Sequence, residues 1–250
     1  MISQAIKGQG ARLAGRFALV WSVIALLSGC MYQEQALQQA PMSYAESVDR
    51  VQRALDRFQL EQGILPIYTA GPETPRYEKF RIDLSKMKQM GFLDEIPKAA
   101  FEEGGGVYFL VINEEIDPEV KVLDLVTVQK VNDVQRRVDL FRSSHSGKLP
   151  VQGGSETYSG LFKVDLSQIQ AKDQELTSVY SGHSIPYLMD SQGKVYVDYA
   201  FDIMQAIDQS QSTPKKDMDL RELLIEHSAY VPVKSLPYHY IDGAPVPVLD

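Results

Sequence analysis

The sequence predicts an α+β protein made of two similar subdomains in tandem, each a helix with a small antiparallel sheet, followed by a C-terminal extension. Three observations predict this fold class. Apolar residues at helical spacing occur in two well-separated segments of similar sequence. The same short blocks follow each segment in the same order. Each copy then ends in two apolar segments joined by a turn, which is typical of a β-hairpin.

The helical pattern is clearest in residues 48–58 and 131–141. Six of these 11 positions are identical in the two segments. Ser43 or Ser47 is expected to cap the first helix, and Gly63 is expected to end it. We therefore expect one amphipathic helix at the start of each copy.

Further blocks extend the duplication. Residues 63–67 correspond to residues 147–151 around a shared Leu-Pro pair. Residues 80–87 correspond to residues 162–169, and both read Phe-x-(Ile/Val)-Asp-Leu-Ser. Several blocks in one order at a nearly constant offset are hard to obtain by chance, so we predict an internal duplication.

The predicted boundaries follow from these blocks. The first copy covers residues 44–127 and the second copy covers residues 128–208, and a partial third copy is expected in the extension, residues 209–250. There, a short helix precedes residues 227–233, which correspond to residues 145–151. The expected hairpin strands are 107–112 with 120–126, and 185–190 with 194–199.

Residues 1–29 have the features of a secretory signal peptide. They contain Lys7, Arg12 and Arg16 and no acidic residue, and residues 17–27 form an apolar run. A positive segment, a short apolar core and small residues at its end are typical of such signals. The run is shorter than the roughly 20 apolar residues of a spanning helix.

Leu27-Ser28-Gly29-Cys30 resembles the lipobox of bacterial lipoproteins. The resemblance implies that the Cys30 thiol takes a diacylglyceryl group and that cleavage falls just before it. Cys30 is the only cysteine, so it has no disulfide partner within the chain. Two acyl chains suffice for stable anchoring. We expect a flexible tether over residues 30–43 and a protein held at the extracytoplasmic face of the cell membrane. An ordinary secretory signal with a chance cysteine is the alternative.

The net negative charge of the chain limits which molecules it is expected to bind. Removal of the signal, with its three basic residues, would change the formal net charge from −8 to −11. A strongly acidic protein is a poor partner for nucleic acid, which binds through Lys and Arg. The expected partners are membrane lipid, through modified Cys30, and other envelope proteins or a cell-wall polymer.

Asp83 and Asp165 are the polar residues of most interest, because they occupy the same place in the two Asp-Leu-Ser segments. An Asp in this position caps a following helix by accepting hydrogen bonds from backbone N–H groups. The functional alternative is a pair of carboxylates between the copies that binds a cation or a basic ligand.

The sequence predicts no catalytic set, cofactor site or metal site. The four histidines include no closely spaced ligand pair. His145 and His227 follow helices at equivalent positions, where a His interacts favourably with the helix dipole. A hydrolase would have to use His183 or Ser184, in a segment that is expected to be a surface loop.

With the lipobox and the duplicated blocks in view, the chain resembles the uncharacterised YphF-like lipoproteins of spore-forming Gram-positive bacteria. The resemblance covers most of the chain after Cys30 and supplies no catalytic residues. The expected function is that of a non-enzymatic binding or scaffolding component of the cell envelope. A solute-binding lipoprotein of a transporter and, with less support, an envelope hydrolase are the alternatives.

Overall fold

The computed structural model describes residues 40–68, 70–210, 213–215 and 218–249, with side chains from Tyr44 onward. Cys30 and most of the expected tether lie outside these residues. The described part contains five α-helices and ten strands. The helices are α1 Ala40–Gln62, α2 Leu84–Gln89, α3 Leu125–Ser144, α4 Ala200–Ser210 and α5 Arg221–Glu226. The strands are β1 Val107–Ile112, β2 Glu119–Asp124, β3 Val151–Tyr158, β4 Leu161–Val164, β5 Leu176–Thr177, β6 Ser184–Ile185, β7 Tyr187–Asp190, β8 Val195–Val197, β9 Tyr238–Ile241 and β10 Ala244–Pro247.

The α+β fold class is confirmed. Every strand pairing among the named strands is antiparallel, and the largest sheet has four strands in the order β3-β4-β7-β8. Three two-stranded sheets accompany it, formed by β1 with β2, β5 with β6, and β9 with β10.

The two copies place their Leu-Pro and Asp-Leu-Ser segments in the same way. In the first copy, the Asp83 N–H donates to the Pro66 carbonyl oxygen at 2.7 Å. In the second copy, the Asp165 N–H donates to the Pro150 carbonyl oxygen at 2.8 Å. Arg81, two residues before Asp83, forms an antiparallel β-bridge with Leu110 of β1. The corresponding segment of the second copy is β4, which pairs with β7 and is also antiparallel to it. Matching sequence blocks therefore make matching strand-like pairings.

One glutamine in each copy ties the first helix to the hairpin. Gln52 of α1 accepts from the Val120 N–H at 2.6 Å and donates to the Pro118 carbonyl oxygen at 2.9 Å. Gln135 of α3 accepts from the Val195 N–H at 2.7 Å and donates to a hairpin-turn carbonyl oxygen at 2.9 Å. The two glutamines occupy corresponding positions of the repeated helical segment, so the duplication extends to individual side-chain contacts.

Two predicted boundaries are wrong. Helix α1 already includes Ala40, so Ser43 and Ser47 lie inside the helix and do not cap it. The second hairpin strand of the first copy ends at Asp124, not Val126, because the Asp124 carboxylate accepts from the Thr127 N–H and caps α3 there.

Helix α3 is shared by the two copies, since it follows the hairpin of the first copy and is the first element of the second. Helix α4 takes the corresponding place after the second hairpin. It begins at Ala200, next to Asp198, whose carboxylate accepts from the Ala200 N–H at 3.0 Å. Sequence analysis did not predict α4.

Residues 45–250 form one compact unit. Within Met1–Tyr44 the structure describes only the start of α1. In the compact unit, one apolar cluster packs α3, α4 and α5 against one face of the four-stranded sheet. A second cluster joins β1 and β2 to Ile225, Val231 and Val233 of the C-terminal extension.

The C-terminal extension hydrogen-bonds to both hairpins. Val122 of β2 donates to the Ala229 carbonyl oxygen and accepts from the Val231 N–H. Val197 of β8 donates to the Lys234 carbonyl oxygen at 2.8 Å. The extension therefore runs along the open edge of each hairpin. None of the helices in the described ranges is long and apolar enough to cross a membrane.

Candidate functional site

Asp83 and Asp165 each make local hydrogen bonds of the capping type. The Asp83 carboxylate accepts from the Lys86 N–H at 2.9 Å at the start of α2. The Asp165 carboxylate accepts from the Ser167 N–H at 2.9 Å and from the Gln168 side chain. These hydrogen bonds lower the pKa of Asp165. No described hydrogen bond joins the two aspartates or gives them a shared partner.

His145 and His227 are the C-cap residues of α3 and α5, as their equivalent sequence positions predict. His145 Nδ1 lies 2.8 Å from the Phe141 carbonyl oxygen and 2.9 Å from Ser144 Oγ. A carbonyl oxygen only accepts, so this contact favours the tautomer with the proton on Nδ1. In that tautomer Nδ1 is not a base for the Ser144 hydroxyl.

A pair of buried carboxylates follows the second hairpin. Asp198 is fully hydrogen-bonded: the Tyr238 hydroxyl donates to Oδ1 at 3.0 Å and the Tyr158 hydroxyl donates to Oδ2 at 3.2 Å. Burial raises the pKa of Asp198, and these donors act in the opposite direction. Asp198 thereby links β3, the start of α4 and β9. Its role is structural.

Asp202 lies in α4, four residues after Asp198, and differs from Asp198 in its hydrogen bonds. Its side chain is 2% exposed. The Ser178 hydroxyl donates to Oδ2 at 2.8 Å, whereas Oδ1 is buried and has no hydrogen-bond partner in the described part of the chain. The Ser181 hydroxyl is a second hydrogen-bonding neighbour of the Asp202 carboxylate and lowers its pKa. Buried polar atoms without a partner are rare in folded proteins and call for an explanation.

Burial raises the pKa of Asp202. The Ser181 and Ser178 hydroxyls and the His183 ring lower it, while the carboxylate of Asp198 raises it further. His183 also contacts the ring of Phe201, with 5.1 Å between the ring centroids. A perturbed carboxylate beside a pocket is a candidate functional group.

Asp202 lines a pocket of about 170 Å³ between α4, α5 and the segment around Tyr180. Helix α4 provides one face of it through residues 202, 205, 206 and 209, which recur at helical spacing. The opposite wall comes from α5 and from the residues that follow it. The lining residues are Val179, Tyr180, Asp202, Gln205, Ala206, Gln209, Leu223, Leu224, His227 and Ser228.

Other cavities have larger volumes, but their linings favour no particular ligand charge. A groove of about 650 Å³ beside α1 has Arg50, Arg53 and Arg57 on one side and Asp94 and Glu95 on the other. All five of these side chains are exposed. Exposed charges of both signs are already well solvated and give no preference for one ligand charge.

The Asp165 carboxylate lines a third cavity, of about 370 Å³, together with Lys163 and Lys172. No group of three or more His, Cys, Asp or Glu side chains within the described ranges is placed to hold a metal ion.

Comparison with known proteins bears on the first copy. Residues 44–124 match the family model described as the YphF family N-terminal domain. The matched segment runs from α1 to the last residue of β2. It confirms the resemblance to YphF-like proteins for this part of the chain. No curated protein and no solved structure matches the chain.

The Asp202 pocket lies wholly outside the segment that matches the YphF domain. Sequence analysis missed Asp202 because no motif surrounds it. The available signal was a single Asp in a segment, residues 200–207, whose other residues are mostly apolar. A carboxylate on the inner side of an otherwise apolar helix is unusual, because charged side chains are almost never fully buried without a partner.

Proposed function

We propose that this protein is a lipid-anchored, extracytoplasmic component of the cell envelope that binds a small ligand without transforming it. The observation that carries the proposal is the Asp202 pocket, a cavity of about 170 Å³ whose lining combines Leu223 and Leu224 with the polar residues Asp202, Gln205 and Gln209. Sites of this kind combine apolar walls with a few convergent polar groups.

The absence of an activated nucleophile among the described residues favours binding over catalysis. An activated serine needs a base within hydrogen-bond reach. The Ser178 hydroxyl donates to the Asp202 carboxylate, and no hydrogen bond in the described ranges joins it to a His or Lys side chain. The His145 nitrogen near Ser144 also faces the Phe141 carbonyl oxygen, a position that suits a donor and not a base. Ser184 and His183 share no hydrogen bond in the described ranges.

The anchor is part of the same proposal. Diacylglyceryl modification of Cys30 would hold the protein at the outer face of the membrane, with the ligand pocket on the tethered domain. Metabolic labelling with a palmitate analogue tests it: the wild-type chain is expected to take the label and Cys30→Ser is expected to take none. Equal labelling of both proteins would contradict the lipid anchor.

Ligand binding is tested by thermal unfolding of the full chain in detergent with a panel of ions, sugars, amino acids and amines. A ligand that binds only the folded state stabilises it by about 2.7 kcal/mol at a hundredfold excess over Kd. Ala206→Leu, which fills the pocket, is expected to abolish the shift. If no compound raises the melting temperature, or if Ala206→Leu leaves the shift unchanged, the pocket is not a binding site.

A solute-binding lipoprotein of a transporter is the second candidate. The volume of the pocket, about 170 Å³, favours it, because a cavity of that size suits a small solute better than a polymer. It predicts that an intact cell lacking this protein takes up the pocket ligand more slowly. Scaffolding of other envelope proteins would instead leave uptake unchanged.

A further inference from the structure

We infer that a second surface of this protein, separate from the Asp202 pocket, binds the sugar rings of an uncharged glycan chain. The surface is formed by the side chains of Tyr68, Arg81, Phe101 and Tyr108, which we call the aromatic strip. None of these residues lines the Asp202 pocket. The inference therefore goes beyond the proposed function and can fail independently of it.

The strand pairings of the first copy place the members of the aromatic strip side by side. The Tyr68 N–H donates to the Arg81 carbonyl oxygen at 2.9 Å, and Arg81 forms a β-bridge with Leu110, two residues after Tyr108. Paired residues on neighbouring strands, and residues two apart on one strand, lie on the same face of a sheet. Phe101 joins this face from the segment before β1.

The Arg81 guanidinium contacts two tyrosine rings. Its central carbon is 4.0 Å from the centroid of the Tyr108 ring and 5.5 Å from that of the Tyr68 ring. The Phe101 ring also contacts Tyr108, with 5.0 Å between the two centroids and 57° between the ring planes. Cation–π attraction holds a guanidinium in such a position. The aromatic strip is therefore a continuous, preformed surface.

Both ends of the aromatic strip are exposed. Phe101 is 53% exposed and Tyr68 is 43% exposed. A fully covered aromatic side chain buries 150–250 Å², so the two end rings together expose about 200 Å². A stable protein–protein interface covers about 800 Å² of each partner. The strip is thus too small to hold a second copy or a folded protein, and it suits a narrow, extended ligand.

The polar groups of the aromatic strip favour an uncharged ligand that is rich in hydroxyls. Within the described ranges the Arg81 guanidinium makes no hydrogen bond and no ion pair, so its N–H donors remain available. Burial raises the pKa of Tyr68, and the nearby carboxylates of Asp83 and Glu102 raise it further. A sugar hydroxyl both donates and accepts, so it can use the guanidinium and the carboxylates together. An anion would meet the two carboxylates, and a cation would meet Arg81.

The aromatic rings favour a sugar over a peptide. The face of an aromatic ring carries partial negative charge, and the C–H groups of a sugar ring make weak favourable contacts with it. A proline-rich peptide also docks on aromatic residues. Proline has no N–H, however, so such a peptide would leave the carboxylates of Asp83 and Glu102 without a donor.

The duplicated fold does not require the aromatic strip. The second copy has the same strand pairing at this place but no aromatic residue at the corresponding positions. The positions that match Tyr68, Arg81 and Tyr108 hold, in that order, Gln152, Lys163 and Pro186. All three of these residues line the cavity of about 370 Å³ described above. The repeat thus folds without the rings, and a ligand explains them better than packing does.

Isothermal titration calorimetry of the full chain, in a detergent without a sugar headgroup, tests the inference. Chitotetraose and cellotetraose, two uncharged oligosaccharides, are the probes, and decaproline is the peptide control. At least one oligosaccharide is expected to bind the wild type, and decaproline is expected to give no binding heat.

The variants assign the binding to the aromatic strip. Tyr68→Ala and Phe101→Ala are each expected to weaken oligosaccharide binding about fivefold or more, the usual worth of one aromatic contact. Arg81→Lys keeps the charge but loses the planar guanidinium that stacks on the rings, and it is also expected to bind more weakly. Phe201→Ala is the matched control, because Phe201 is 49% exposed on α4, and it is expected to bind like the wild type. The melting curve without ligand shows that each variant is folded.

The outcomes separate this inference from the proposed function. If neither oligosaccharide binds, or if Phe101→Ala and Phe201→Ala bind equally well, the aromatic strip is not a glycan site. Binding of decaproline as tight as that of the oligosaccharides would mean that the ligand is a proline-rich peptide. Ala206→Leu is expected to bind the oligosaccharide like the wild type, and loss of binding in this variant would place the sugar in the Asp202 pocket instead.

Discussion

At the scale of single residues, the contrast between Asp198 and Asp202 defines the site. Both carboxylates are buried, and burial raises the pKa of each. Asp198 is satisfied by two tyrosine hydroxyls and a backbone N–H, whereas the neighbours of Asp202 are the hydroxyls of Ser178 and Ser181. The first carboxylate holds elements together. The second belongs to a residue that lines the pocket.

This difference predicts how Asp202→Asn changes stability with pH. Because the pKa of Asp202 is raised in the folded state, its contribution to stability is fully present below the ordinary Asp value of about 3.9 and is lost as pH rises through the raised pKa. Asn does not ionise. We therefore expect the variant to be more stable than the wild type by about 1 kcal/mol at pH 7.

Urea unfolding followed by circular dichroism measures this difference at pH 7 and near pH 4. The gain is expected to shrink at the lower pH, because lowering the pH toward the raised pKa of Asp202 protonates more of the wild-type carboxylate. Asp208→Asn, at an exposed position, is expected to change stability by less than about 0.5 kcal/mol. A loss of stability in Asp202→Asn at pH 7 would mean that the carboxylate has a stabilising partner.

At the scale of elements, each hairpin is tied to its helix by one glutamine. Gln52→Ala and Gln135→Ala each remove the acceptor of a backbone N–H, on Val120 and on Val195, both of which are buried. Leaving a buried donor unsatisfied costs about 1–3 kcal/mol. We expect each variant to lose that much free energy of unfolding, measured by chemical denaturation.

Gln129→Ala is the control, because Gln129 is exposed on α3. Ala has the higher helix propensity, so this variant is expected to match or slightly exceed the wild type. Equal effects at positions 52, 129 and 135 would show that helix propensity, and not the tie to the hairpin, sets the stability change.

The duplication and the main elements could be predicted because repeated blocks carry much of the local information. Helical spacing, the Leu-Pro pair and the Asp-Leu-Ser segment each recur. The start of α3 was misplaced because Val126 and Val128 continue the β-branched pattern of the strand, and β-branched residues favour strands. The Asp124 cap decides the boundary, and its partner is the backbone of Thr127.

The site could not be predicted to the same degree. Periodicity indicates which face of α4 is buried, but it does not indicate whether a buried Asp finds partners there. For Asp202 the answer depends on Ser178, in a segment well before α4, and on α5, which follows α4 after a connecting segment. Contacts at that separation are set by the tertiary fold and leave no local signature.

At the scale of the whole molecule, the C-terminal extension completes both copies and one wall of the pocket. Its Tyr238 is fully buried, donates to Asp198 and accepts from the Tyr199 N–H at 2.9 Å. The acidic charge of the chain, −8 in total, also favours the approach of cations over anions.

Buried tyrosines predict a cooperative alkaline transition. Burial raises the pKa of Tyr77 to about 12 and raises the pKa of Tyr158, Tyr187, Tyr199 and Tyr238 above the ordinary value of about 10. Their contribution to stability is fully present below about pH 10 and is lost as pH rises through the raised values. We expect tyrosinate absorbance to increase together with the loss of circular dichroism. Ionisation of every tyrosine near pH 10 with the fold intact would contradict the burial.

The most direct test of ligand binding in the Asp202 pocket compares the melting temperatures of the wild-type chain and of Ala206→Leu, each with the same panel of ions, sugars, amino acids and amines. We expect at least one compound to raise the melting temperature of the wild type and to leave that of Ala206→Leu unchanged. No shift with any compound, or equal shifts in the two proteins, would contradict the proposed site.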